Sequence, residues 1–140
     1  MLNRAKVFLD TSILIYAANG KSKHQKKYEI AQGLLTTQFG LSIQVITEFY
    51  NQITSHGAIP LSKETAAEWL KLLIRKPCQD MDSRIVMKAL EHQKTHNISH
   101  SNGLILASAE RLGATTLYSE EFTHKMVFGD ITAINPFVEQ

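Results

Sequence analysis

The 140-residue chain is poor in cysteine, proline, glycine and tryptophan, with one, three, seven and one respectively. A lone thiol, Cys78, excludes an internal disulfide framework and a cysteine-based zinc cluster. So little proline and glycine leaves no low-complexity linker. No apolar run approaches the roughly 18 residues that a bilayer span needs. Asp10 interrupts the N-terminus where a signal peptide would need its apolar stretch. The expectation is therefore a soluble, cytoplasmic protein with no membrane partner. What is present is globular in composition, 44% hydrophobic and 20% charged. A chain of this length makes one ordinary domain, residues 1–140, and buries roughly 68–70% of its unfolded surface.

Charge is uneven along the chain. Residues 1–40 carry six Lys and Arg against two Asp and Glu, whereas residues 91–140 carry three against six. The basic excess gathers at Lys21, Lys23, Lys26 and Lys27, a patch able to meet a polyanion such as RNA. A solvated helix face produces the same pattern.

Short apolar runs alternate with helical periodicities. Ala5–Leu9 reads as a buried strand that stops at Asp10. Thr11 or Ser12 caps a helix through Ile13–Ala18, closed by Asn19-Gly20. A second helix over 22–36 has Tyr28, Ile30, Ala31, Leu34 and Leu35 as its apolar stripe. Gly40-Leu41-Ser42 is a brief strand or turn. A third helix over Ile43–Ser55 turns Val45, Ile46, Phe49 and Ile53 inward and ends at His56-Gly57. Ser62 caps a fourth, Lys63–Ile74, which Pro77 stops, and a short strand follows near Cys78. Asp82–His96 and the segment from Ser99 to Gly113 are two more helices. Ala114–Tyr118 and Ile131–Ile134 are strands. Strands separated by helices imply an α/β fold, a three-layer α/β/α sandwich around a short parallel sheet.

In such sheets, ligands gather beyond the carboxyl ends of the strands, at a switch point. Asp10, one of only four Asp in the chain, ends the first strand, and Glu120-Glu121 follow the strand ending at Tyr118. A strand-end Asp serves equally as a helix N-cap. Glu48 lies on the polar flank of a greasy helix, near Gln44, Asn51 and Gln52, where a plain solvated charge is the ordinary occupant. Asn102 stands three residues after Ser99, at the position a capping box gives to Glu or Gln.

Taken in order, these segments resemble the PIN-domain family. Val7-Phe8-Leu9-Asp10-Thr11-Ser12-Ile13-Leu14 is similar to that family's opening strand and loop. Glu48 in Val45-Ile46-Thr47-Glu48-Phe49 matches its helical acid. Ile98-Ser99-His100-Ser101-Asn102-Gly103-Leu104-Ile105 matches the segment of its third acid, normally an Asp before a small residue and two aliphatics. Leu117-Tyr118-Ser119-Glu120-Glu121-Phe122 matches the strand and loop of the fourth, and Ile134-Asn135-Pro136-Phe137 the usual ending. The resemblance implies a VapC-type endoribonuclease, the toxin of a type II toxin–antitoxin pair, using Mg²⁺ or Mn²⁺ to hydrolyse RNA phosphodiesters. It implies catalytic roles for Asp10, Glu48, Asn102 and Glu121, with Asp10, Asn102 and Glu121 as metal ligands. Thr11, Ser12, Ser119, Lys23 and Lys26 would contact substrate. Implied partners are a tRNA or rRNA substrate, a cognate antitoxin that places Arg or Lys against Asp10 and Glu121, and a second copy docked through the helices of residues 22–74.

Two positions depart from the family pattern. Glu121 replaces an Asp and keeps the charge on a longer arm. Asn102 replaces the third Asp, brings no charge and offers one oxygen ligand. An impaired nuclease follows, whether through natural divergence or an engineered Asp→Asn change. Three other readings compete. Asp10-Thr11-Ser12 is faintly similar to haloacid-dehalogenase phosphatases, but their second acid falls at Ser12. His92, His96 and His100 have the four-residue spacing of zinc ligands on one helix. A nuclease-shaped binding module that has lost its chemistry is the non-enzyme alternative.

Overall fold

Val7–Leu9 forms β1, the central strand, and the rest of the architecture is arranged around it. The computed structural model describes residues 3–21, 23–55 and 60–138. After β1 come α1 (Thr11–Asn19), α2 (Gln25–Leu34), β2 (Phe39–Ser42), α3 (Ile43–Ser55), α4 (Lys63–Leu73) and β3 (Cys78–Gln79). Then follow α5 (Ser83–His96), α6 (His100–Arg111), β4 (Thr116–Tyr118), β5 (Val127–Phe128) and β6 (Ile131–Ile134). The sheet order is β3-β2-β1-β4-β6-β5, parallel except for the β5–β6 pair. The α/β class and the flanking helices are as the sequence implies.

Strand order decides where a site can form. The chain moves from β1 outward to β2 and β3, then crosses back to place β4 on β1's other side. The β1–β4 boundary is thus the switch point, with a crevice beyond the carboxyl ends of the two strands. Both strands are held there by packing. Phe8, Leu9, Leu41 and Leu117 are fully enclosed, as expected of strands covered by helices on both faces. Burying each such side chain contributes about 1.5–3 kcal/mol. The inward face of α3 is the expected one, with Val45, Ile46, Phe49 and Ile53 all buried.

Several boundaries differ from the sequence reading. The cap of α1 is Asp10, whose carboxylate accepts from Thr11 N–H, rather than Thr11 or Ser12. The second helix starts at Gln25, because His24 precedes it without making a side-chain cap, and residue 22 lies outside the described residues. The stop at His56-Gly57 lies outside them as well. The β5 strand escapes notice in the sequence: it is two residues long, doubled back onto β6 through Gly129 at φ +63°. Among the described residues, no helix is long and apolar enough to cross a membrane.

One close approach positions α6. A Cβ on Gly103 would lie 2.6 Å from the carbonyl oxygen of Ala89. Only a residue without a side chain lets α6 settle this tightly onto α5, which explains the small residue after position 102. The linker is equally tight: Asn97 takes the left-handed conformation at φ 54°, and Ser99 caps α6 by accepting from Asn102 N–H.

Candidate active site

Asp10 carries β1's ladder one residue past the strand, its N–H donating to Tyr118 O at 3.0 Å. Its side chain turns into the crevice and is 2% exposed. Oδ1 accepts from Thr11 N–H at 2.7 Å, and Oδ2 accepts from Ser119 Oγ at 2.6 Å. The two readings of this residue are therefore compatible, because one carboxylate caps α1 and still faces the switch point. Burial pushes its pKa up to about 6; the two hydrogen bonds oppose the rise, and the nearby charges of Glu121 and Glu48 add to it.

Glu48 reaches the same place from α3. Thr11 Oγ1 donates to its Oε2 at 3.0 Å, and Gln44, one helical turn earlier, donates to its Oε1 at 3.3 Å. Gln44 Nε2 also touches Ser101 O and Oγ, at 3.3 and 3.2 Å. This amide joins α3 to the first turn of α6, next to the half-buried Asn102. The sequence shows Gln44 as a neighbour of Glu48 but not the bridge it makes, which exists only once α6 docks.

The loop after β4 supplies the opposite wall. Ser119 is fully buried; besides donating to Asp10, its Oγ accepts from Glu121 N–H at 3.0 Å. Glu121 itself is exposed. Its neighbour Glu120 turns away, accepting from Tyr16 at 3.0 Å and from Lys27 at 2.6 Å. The Lys27 ammonium also lies 4.8 Å from the Tyr16 ring centroid and 5.4 Å from that of Phe137. The sequence groups Lys27 with Lys21, Lys23 and Lys26 in a basic patch. The structure commits it to this aromatic clamp, which holds the start of α2 against the acid-bearing loop. Lys23 and Lys26, both exposed, flank the same helix start.

Among the described residues, no Lys, Arg or His forms an ion pair with Asp10, Glu48 or Glu121. Within the described residues the negative field of these acids is therefore unmet. Nor do any three His, Cys, Asp or Glu side chains among them close into a group able to hold a metal unaided. The donors are all oxygen; Gln44 Oε1, on the amide that meets Glu48, and Ser12 Oγ, one residue after Thr11, are buried without hydrogen-bond partners. That chemistry fits a hard, hydrated cation such as Mg²⁺, which keeps several waters beside one or two carboxylates, and does not fit an all-protein cage.

The histidine triad does not assemble. His92 and His96 stack on α5, but His92 pairs with Glu110, while His100 opens α6 and contacts Gln93. The helix break at Asn97 is the physical reason. Cys78 offers no nucleophile at neutral pH, since burial, helped by the charge of Asp80, pushes its thiol up to about 11.

The family model for the PIN domain matches residues 7–123, a span that includes all four site positions. The chain belongs to the PIN-domain family. No curated protein matches it in sequence. Among solved structures, it is similar to the Mycobacterium tuberculosis toxin VapC20, which cleaves the sarcin–ricin loop, with TM-score 0.65 and 16% identity over 82% of this chain and 89% of that one. It is also similar to VapBC2 from Rickettsia felis bound to a promoter DNA fragment, with TM-score 0.60 and 19% identity over 91% and 96%. DNA-bound VapBC from Salmonella typhimurium gives TM-score 0.61 and 16% identity over 95% and 97%. At these identities the likeness is one of fold, and it places the mixed sheet and its flanking helices among PIN structures.

Proposed function

We propose that this PIN protein is a metal-dependent endoribonuclease of the VapC type, the toxin of a type II toxin–antitoxin pair. The observation that carries this reading is Asp10: a buried carboxylate at the switch point, flanked by Glu48 and Glu121 and lacking a cationic partner in the described fold. Asp10, Asn102 and Glu121 would hold Mg²⁺ or Mn²⁺, with Glu48 steadying the shell through Thr11. Bound there, the ion supplies a more acidic water and offsets charge on the phosphate. The chain's own residues do the positioning. Ser119 fixes the Asp10 carboxylate and the Glu121 backbone together, and Thr11 fixes Glu48; Ser12, next in the chain, would contact substrate. Lys23 and Lys26 favour the approach of an RNA backbone, in tRNA or rRNA.

Partners follow the same electrostatics. An antitoxin segment bearing Arg or Lys would occupy the acidic crevice in the cytoplasm. A second copy is supported by Leu72 and Ile74, 61% and 56% exposed at the end of α4. Residues 1–140 would act as one domain. Asn102 favours a second reading, a binding module without chemistry, because it stands uncharged where the family has its third acid.

One experiment separates the two. Asn102→Asp, assayed on total RNA with and without chelator, should raise cleavage about 100-fold, the scale of a restored electrostatic group. Absence of metal-dependent cleavage in both forms would favour the binding module.

A further inference from the structure

The opposite end of the sheet holds a second cleft, of about 600 Å³. It is lined by Arg4–Val7 entering β1, Gln38 and Phe39 entering β2, Lys76 and Pro77 entering β3, and Leu112 and Gly113 before β4. These are the amino ends of four adjacent parallel strands, whereas Asp10 and Ser119 lie at the carboxyl ends. Six residues of extended chain separate Arg4 from Asp10, about 20 Å. The two sites therefore sit at opposite poles.

The cleft is basic. Among the described residues, Arg4, Lys6 and Lys76 line it, and no Asp or Glu does. None of the three forms an ion pair with any described residue. Lys76 lies 4.8 Å from the Phe39 ring centroid, so its ammonium is held at the wall. Gly113, at φ +81°, brings its backbone to Arg4: a Cβ there would lie 3.3 Å from Nη1. The remaining walls are apolar, from Ala5, Val7, Pro77 and Leu112, with the Gln38 amide at the edge. Its volume falls in the range of small-ligand sites. Cations with no anionic partner among the described residues, set over apolar walls, match a phosphate joined to a flat ring.

The geometry points to a nucleotide-phosphate site at this pole, independent of the acidic crevice and of the ribonuclease reading. The ligand is either a free nucleotide or the end of an RNA strand. Titrating the intact protein in EDTA with adenosine 5′-monophosphate, inorganic phosphate and a five-nucleotide RNA, and following backbone amides by NMR, tests it. Adenosine monophosphate should shift residues 4–7, 76–78 and 112–114 saturably, with Kd below about 1 mM. Inorganic phosphate should bind at least about tenfold more weakly, since it leaves the apolar walls unused.

The Arg4→Ala/Lys76→Ala variant, with unchanged amide positions elsewhere confirming its fold, should lose at least about tenfold in affinity. If the five-nucleotide RNA binds about as tightly as the mononucleotide, the source is the free nucleotide; about tenfold tighter binding makes it an RNA strand. Shifts spread equally over Lys21 and Lys23, phosphate binding as well as the nucleotide, or an unaffected variant would each overturn the assignment.

Discussion

Thr11 and Glu48, on the first turn of α1 and the middle of α3, meet through a 3.0 Å hydrogen bond from hydroxyl to carboxylate. The same Thr11 gives its backbone N–H to Asp10. One residue thus sets the spacing of two acids. Thr11→Val keeps the backbone contact and removes the hydroxyl, at about 1 kcal/mol in stability. In the Asn102→Asp background it should lower cleavage about tenfold, the rate equivalent of about 1.4 kcal/mol of lost transition-state stabilisation. Thr11→Ser should restore most of it. Urea unfolding and cleavage rates, read side by side, check both numbers.

The raised pKa of Asp10 makes metal-free stability depend on pH. Its proton is held more tightly in the folded chain, at about 6, than in the unfolded one, at 3.8. At low pH both states are protonated and the difference vanishes. Between pH 4 and 6 the unfolded state ionises first, so stability falls as pH rises, by a total on the order of 3 kcal/mol. Asp10→Asn should flatten that slope in urea titrations at successive pH values, while abolishing cleavage.

Metal reverses the balance. An ion that binds only the folded state stabilises it by mass action, and it needs Asp10 ionised. Millimolar Mn²⁺ should therefore raise the melting temperature at pH 7.5 and leave it nearly unchanged at pH 5. Calorimetric scans with and without EDTA measure this, and Asp10→Asn should show no shift at either pH.

Gly103→Ala sets helix propensity against packing. Alanine favours a helix by about 1 kcal/mol over glycine. The new Cβ would press on the Ala89 carbonyl, however, and overpacking costs about 1–3 kcal/mol. The contact is with backbone, which yields least, so a net loss is expected in chemical denaturation. Displacement of α6 should also weaken Mn²⁺ binding through Asn102.

Lys27→Met should change stability by no more than about 1 kcal/mol, because the pair with Glu120 is solvent-screened. Its larger effect falls on the 119–122 loop, which Lys27 and Tyr16 hold through Glu120. Broadened amide signals for residues 119–122, with cleavage reduced in the Asn102→Asp background, would reveal it; Lys27→Arg should preserve both.

Most of this architecture is legible in the residues. Phe8 and Leu9 announce a strand, Ser62 and Ser99 announce helices, and the period of α3 identifies its buried face, because each signal is local. What escapes is non-local. Gln44 gains its meaning from Ser101, 57 residues away, and Lys27 leaves the basic patch only because Glu120 folds back upon it. The two-residue β5 strand carries no periodicity to detect. The four-residue rhythm of His92, His96 and His100 suggested one helix face; a single left-handed residue at Asn97 divides it.

The bond from Ser119 to Asp10 spans 109 positions of the chain. Synthesis from the N-terminal side brings out Asp10 long before Ser119, so the Asp10 carboxylate gains this donor only after β4 and the loop that follows it have emerged.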